Sequence, residues 1–169
     1  YLASDFTSNY DFDTHAVFLQ LDSSLTNKLV LSNGLRYEKR ETEYDNSNGI
    51  VFSPDENLWG GRIALKYFTG DSTMFYGSIA RGYKAGGFNT DKTGLDEIKP
   101  EFDEEYLIEY ELGLKSKLLD NRLLLRASVF YDDRRDQQVK SSLVINRPDG
   151  TSEFVDFLGN AAEGTNRGI

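Results

Sequence analysis

The side chains of this 169-residue chain that could do chemistry are few and poorly grouped. His15 is the single histidine, with no Ser, Cys or carboxylate beside it in a pattern that makes a nucleophile–base pair or a zinc site. The simpler reading is an exposed residue near a strand start. The stretch GYKAGG, Gly82 to Gly87, lacks the GxxxxGK(S/T) spacing that cradles phosphate, and reads as a strand end opening into a loop. Asp96, Glu97, Glu101, Asp103, Glu104 and Glu105 offer hard oxygen ligands to a divalent cation, although such a run is more often a solvated loop. Cysteine is absent, which excludes a disulfide framework and thiolate metal sites. No acid, base and nucleophile converge, so the reading is not an enzyme, with no cofactor and no resident metal. A net charge of −9 with a pI near 4.6 argues against nucleic acid, which requires a basic footprint.

What remains is charge laid out with a period of two. Tyr106, Ile108, Tyr110, Leu112 and Leu114 alternate with Leu107, Glu109, Glu111, Gly113 and Lys115. After a turn at Asp120-Asn121, Leu123, Leu125, Ala127, Val129 and Tyr131 alternate with Leu124, Arg126, Ser128, Phe130 and Asp132. Successive side chains of a strand point to opposite faces, so each arm has an apolar face and a charged one. Each apolar face runs about ten residues, the length of a tilted membrane-spanning strand. The pattern predicts lipid contact for Leu29, Leu31, Leu35, Ile63, Leu65, Ile108, Leu112, Leu114, Leu123, Leu125 and Val129. It places Arg36, Glu38, Arg62, Lys66, Glu109, Glu111, Arg126 and Asp132 on a watery inner face, with Arg126 diagonally near Glu111. Hydrated channel walls explain any one of these charges equally well. Mean hydropathy of −0.53 and 38% hydrophobic residues exclude a helical membrane protein but not a barrel, whose strands need only alternate apolar residues.

Seven strand-like segments are predicted, in an all-β antiparallel meander. They begin near Thr14, Leu29, Leu58, Thr73, Tyr106 and Leu123, with the last after the turn Arg147-Pro148-Asp149-Gly150. Tight turns at Thr26-Asn27-Lys28, Thr69 to Ser72 and Asp120-Asn121 alternate with long connections, Tyr44 to Asn57 and Lys84 to Phe102. Short turns on one edge and long loops on the other are the polarity of an outer-membrane barrel. Aromatic girdles agree: Tyr37, Trp59, Tyr106 and Tyr131 lie away from the tight turns, and Tyr67 beside one. The fourth strand leaves both faces open, because its more apolar side (Phe75, Gly77, Ile79, Tyr83) also carries Arg81.

Three strings, YGSIARGYKAGGFN (Tyr76 to Asn89), YELGLKSKLLDNRLLL (Tyr110 to Leu125) and ASVFYDDRRDQQV (Ala127 to Val139), resemble successive parts of the barrel of TonB-dependent outer-membrane receptors. LSNGLRY (Leu31 to Tyr37) and Asn160-Ala161-Ala162 fit in the same order. The resemblance implies that residues 1–169 are a piece, the middle-to-late third, of a transmembrane barrel of about 22 strands. It further implies a Gram-negative outer-membrane location, lipid around the barrel, and a plug domain elsewhere in the same chain. A TonB-type energy-coupling protein would bind through the missing part, and the ligand would be of the siderophore, cobalamin or oligosaccharide class. Competing readings are a passive porin-like channel and a soluble β-rich binding module. Tyr83, Lys84, Phe88 and Asn89, at the root of the long glycine-bearing loop, are the expected ligand contacts, since loops on a rigid scaffold carry binding groups.

Overall fold

The computed structural model describes residues 5–90, 100–146, 148 and 150–169. Every element is a strand: β1 (Ser8–Ser24), β2 (Leu29–Asn46), β3 (Val51–Phe52), β4 (Asp55–Phe68), β5 (Thr73–Lys84), β6 (Gly87–Phe88), β7 (Glu101–Phe102), β8 (Glu105–Leu118), β9 (Leu123–Asn146) and β10 (Ser152–Gly168). The seven long strands form one antiparallel sheet in the order β1-β2-β4-β5-β8-β9-β10, with β3 added beside β2. A separate two-stranded sheet joins β6 to β7.

All three tight turns lie on one edge. The turn before β2 closes with Leu25 N–H donating to Leu29 O at 2.9 Å, and the turn before β5 with Thr69 N–H donating to Thr73 O at 3.1 Å. The turn before β9 closes with Arg122 N–H donating to Leu119 O at 3.1 Å. Leu119, Asp120 and Asn121 are all left-handed there, at φ 52, 53 and 68°. Asp and Asn tolerate that region; Leu119 does not do so cheaply, so the turn is partly strained. Turns also bond to the next hairpin: Phe68 N–H donates to Lys28 O and Lys117 N–H to Ser72 O, each at 2.8 Å.

The register assigns the faces, because directly opposed residues share one. Leu29, Leu31, Leu35 and Tyr37 face Tyr67, Leu65, Gly61 and Trp59. Ile63 and Tyr67 face Ile79 and Phe75, and Phe75, Gly77 and Ile79 in turn face Leu114, Leu112 and Tyr110. Tyr110, Leu112 and Leu114 face Tyr131, Val129 and Ala127, while Leu118 faces Leu123. The face left open for the fourth strand is thereby fixed: Phe75 and Ile79 point outward. The outer face shows its apolar side chains to the surroundings, with Leu19 67% exposed and Leu112 65% exposed. The few buried apolar residues, Tyr44, Leu58, Ala64 and Val155, do not amount to a core. A sheet that hides so little apolar surface on folding matches a fold whose outer face is covered by something other than its own chain.

The long strands reach beyond the apolar bands that sequence alternation marks. β1 starts at Ser8 rather than near Thr14, β2 runs on to Asn46, and β4 begins at Asp55, so the expected loop from Tyr44 to Asn57 shrinks to a short turn with β3 inside it. Gly49 takes φ +78° in that turn, a conformation that favours glycine. The connection after Lys84 is likewise not wholly unpatterned, since β6 and β7 pair Gly87 with Phe102. The apolar outer band fails as a signal there because the outward positions of these extensions are polar, Lys39, Glu41, Glu43 and Asp45 on β2 and Asp11, Asp13 and His15 on β1.

Candidate functional site: inner wall and mouth

The face opposite the apolar belt carries paired charges. Arg62 donates to Ser78 Oγ at 3.0 Å and lies 3.9 Å from Glu111, which accepts the Tyr76 hydroxyl at 2.6 Å. Lys66 lies 3.8 Å from Asp22, and Arg36 2.6 Å from Glu38. Glu109 stands opposite Asp132. Arg126 stands directly opposite Lys115, and Glu111 opposite Phe130, so the expected diagonal Arg126–Glu111 contact is not formed. The turn is as expected; Glu111 lies two inner-face positions beyond Lys115 along β8, and Tyr76 and Arg62 on the other side take its carboxylate.

Three inner-face glycines lie beneath rings from a neighbouring strand. A Cβ on Gly113 would come within 2.6 Å of the Tyr76 ring, one on Gly60 within 3.0 Å of Tyr83, and one on Gly168 within 2.7 Å of Phe130. Tyr83 reaches across Gly60 to place its hydroxyl 3.2 Å from Arg36 Nε and to donate to Glu38 at 3.1 Å. The ladder between β4 and β5 stops at Gly61–Arg81, which frees Tyr83 to cross to that side.

The outward girdle has a definite shape. Tyr37 faces Trp59 in the ladder, and its hydroxyl donates to Asn57 Oδ1 at 2.7 Å. Arg81 sits between the Trp59 and Tyr106 rings, at 4.3 and 4.6 Å from their centres, and pairs with Glu104 at 2.9 Å. Its guanidinium also donates to Trp59 O. That cation–π clamp shows how a strand with an outward arginine still carries the apolar side chains of Phe75 and Ile79 on the same face. Tyr131 faces Tyr110, their rings 6.4 Å apart, whereas Tyr106 faces Arg135. Above the girdle the outward positions of β2 become Lys39, Glu41, Glu43 and Asp45, and those of β1 His15, Asp13 and Asp11. His15 thus lies inside β1, opposite Lys39, rather than at a strand start. Lys39 bonds Glu41, which holds the Glu41 carboxyl below its ordinary range.

At the mouth the chain after β5 is fastened from two sides. Phe88 packs into a ring cluster with Phe52, Tyr44 and Tyr10, at 4.9, 5.1 and 6.1 Å between centres. Asn89, buried, exchanges two bonds with the Leu158 backbone, both 2.9 Å. Glu56 accepts Gly86 N–H at 2.6 Å. Gln138 donates to Ala85 O at 2.7 Å and Asp103 O at 3.1 Å. Asn160 accepts from Asp103 N–H at 2.6 Å and donates to Asp103 O at 3.0 Å. Asp136 bulges in left-handed conformation at φ 52°, and its carbonyl is satisfied by Asn160 at 2.7 Å. Of the expected contacts, Phe88 and Asn89 take part in this fastening, Tyr83 reaches instead to Arg36 and Glu38, and Lys84 lies exposed opposite Glu105.

Sequence reading did not find Glu56, Gln138 and Asn160. Their signal is weak, because lone amides and carboxylates on strand extensions look like any solvated residue. Within the acidic run, Asp96 and Glu97 lie outside the described residues, Glu104 pairs with Arg81, and Glu105 lies 3.4 Å from Arg134. Among the described residues no three His, Asp or Glu side chains converge on a metal-sized space.

Comparison with known proteins points one way. Residues 1–169 match the profile described as TonB dependent receptor-like, beta-barrel. The pesticin receptor of Yersinia enterocolitica is 32% identical over 140 residues, covering 78% of this chain and 20% of that protein. A probable TonB-dependent siderophore receptor of Acinetobacter baumannii is 29% identical over 154 residues, 77% of this chain and 19% of that protein. The crystal structure of the ferric yersiniabactin uptake receptor from Yersinia pestis superposes with a TM-score of 0.69 at 27% identity, over 94% of this chain and 23% of that one. The chain thus spans about a fifth of the length of the curated relatives it matches.

Proposed function

The chain belongs to the TonB-dependent receptor β-barrel family, whose members are transporters rather than enzymes, and from that premise we propose that the whole protein imports a ferric siderophore across a Gram-negative outer membrane. In this reading the apolar face meets lipid, the inner face surrounds a plug domain of the same chain, and a TonB-type protein supplies energy through that plug. The carrying observation is one sheet with all tight turns on one edge, exposed leucines outside and paired charges inside. The siderophore class is favoured over cobalamin or oligosaccharide by what the relatives are named for.

We assign the extracellular capture role to the connection between β5 and β8. Tyr83, Lys84, Phe88 and Asn89 lie at its root, and the aromatic side of the mouth offers Tyr10 and Phe12 as exposed rings with Arg40 beside them, 5.0 Å from Phe12. Such a corner suits a ligand that is part aromatic and part anionic. The test is uptake of iron-55 yersiniabactin by cells carrying the full-length receptor, with and without TonB. The expected result is TonB-dependent accumulation that falls when residues 91–99 are deleted while surface level holds. Uptake of small solutes that ignores TonB would convert the reading to a passive channel.

A further inference from the structure

We propose that Lys115, Lys117 and Arg126, at the tight-turn end of the inner wall, seat an acidic segment of the plug domain; the inference rests on the receptor reading above. Four other inner-face cations have carboxylate partners on the wall itself: Arg36 with Glu38, Arg62 with Glu111, Lys66 with Asp22 and Arg134 with Glu105, all between 2.6 and 3.9 Å, while Arg40 rests on the Phe12 ring and bonds the Tyr10 hydroxyl. Lys115 and Arg126 instead stand directly opposite each other across the β8–β9 ladder, and Lys117 follows on the same face. Among the described residues none of these three pairs with a carboxylate. Like charges directly opposed on a sheet destabilise it. In a chain of net charge −9 carboxylates are plentiful, yet the nearby Glu111 is taken by Tyr76 and Arg62.

One member of the cluster, Lys115, is also held in position. The Lys115 ammonium lies 5.3 Å from the centre of the Tyr76 ring. That ring rests on Gly113, and its hydroxyl is tied to Glu111 at 2.6 Å. The positive charge is therefore built onto the wall through a chain of contacts rather than left on a free side chain.

The nature of the cost identifies the occupant. Repulsion between Lys115 and Arg126 is borne by the resting barrel at all times, so a permanent anion offsets it. A solute in transit would offset it only while passing. In the receptor reading the permanent occupant of the lumen is the plug, and the complementary chemistry is a carboxylate-bearing stretch of it. Lys115 and Lys117 lie in the last turnward residues of β8, which ends at Leu118, so the contact falls at the periplasmic end of the plug.

The test uses the purified full-length receptor in detergent and follows urea unfolding of the plug through a reporter cysteine in it, under conditions where the barrel stays folded. Replacing Lys115, Lys117 and Arg126 together by Gln should lower the plug midpoint by a few tenths of a molar and flatten its dependence on salt between about 0.05 and about 1 M. Lys115→Gln alone should give a smaller shift in the same direction, and the wild-type midpoint should itself fall with salt. Barrel integrity is read separately from heat-modifiable gel mobility. A wild-type midpoint and unchanged salt dependence in both variants would overturn the proposal. So would an unchanged midpoint with impaired ferric siderophore uptake, which would make the cluster a solute path. The midpoint needs no ligand, so it decides the seating even if the wild-type receptor fails to import ferric siderophore.

Discussion

Below the girdle, β2, β4, β5, β8 and β9 hold one another through continuous ladders, and their side chains only have to suit the medium on each side. Above it, the connection from Ala85 to Glu104 is held by Glu56, Asn89, Gln138 and Asn160, which make bonds to backbone. The first arrangement is backbone-to-backbone and tolerates many sequences. The second depends on single amides and one carboxylate, each answering a carbonyl or N–H that no described strand satisfies. One part of the molecule is specified by pattern, the other by individual residues.

The sharpest way to break this contrast is at Leu112. It is 65% exposed, and in a soluble sheet Leu112→Arg at such a site would change stability little. If the outer face meets lipid, as proposed, the substitution should cost about 2–4 kcal/mol and impair barrel folding into bilayers, measured by urea titration in lipid vesicles with the full-length protein. An unchanged folding free energy would remove the lipid reading of the outer face.

A smaller and more local effect is expected at the mouth. Asn89→Ala leaves the Leu158 N–H and C=O without these partners, at a cost of about 1–3 kcal/mol. Barrel folding should hold, while amide hydrogen exchange quickens in 85–90 and 157–159. Exchange that quickens throughout β8 and β9 instead would show the mouth and wall to be one cooperative unit.

The smallest effect concerns Lys39 and Glu41, both exposed above the girdle. The folded Glu41 carboxyl titrates below its ordinary value, because Lys39 bonds its charged form. Any stability from this is present above the ordinary carboxylate pKa and is lost as pH falls through the lowered one. Exposure screens the pair, so Lys39→Ala should leave the melting temperature unchanged and return the Glu41 titration to the ordinary range. A melting shift like that of Leu112→Arg would mean the surface pair had been undervalued.

These differences explain what the sequence discloses. The alternation of Leu29, Leu31, Leu35 and Tyr37 against Val30, Ser32, Arg36 and Glu38 reveals strand, register and facing at once, since water and lipid impose opposite demands on neighbouring residues. The extensions alternate differently, with Thr42, Tyr44 and Asn46 against Glu41, Glu43 and Asp45 on β2 and Tyr10 and Phe12 against Asn9, Asp11 and Asp13 on β1, so the outer face there is polar and no apolar band marks it. Gln138 and Asn160 become meaningful only when strands far apart in sequence bring them to Ala85 and Asp103. Arg81 was ambiguous for a related reason: its acceptable place depends on Trp59 and Tyr106, which lie on two other strands.

The rings of Tyr76, Tyr83 and Phe130 bear on clearance through the lumen. An aromatic side chain standing upright from a barrel wall takes up more of the radius than a ring laid over glycine, where no Cβ holds it off the backbone. The absent Cβ of Gly113, Gly60 and Gly168 therefore sets the width of the bore as much as it relieves contact. A methyl group at Gly113 would tilt the Tyr76 ring inward, together with the Lys115 charge above it, and narrow the passage beside the opposed Lys115 and Arg126.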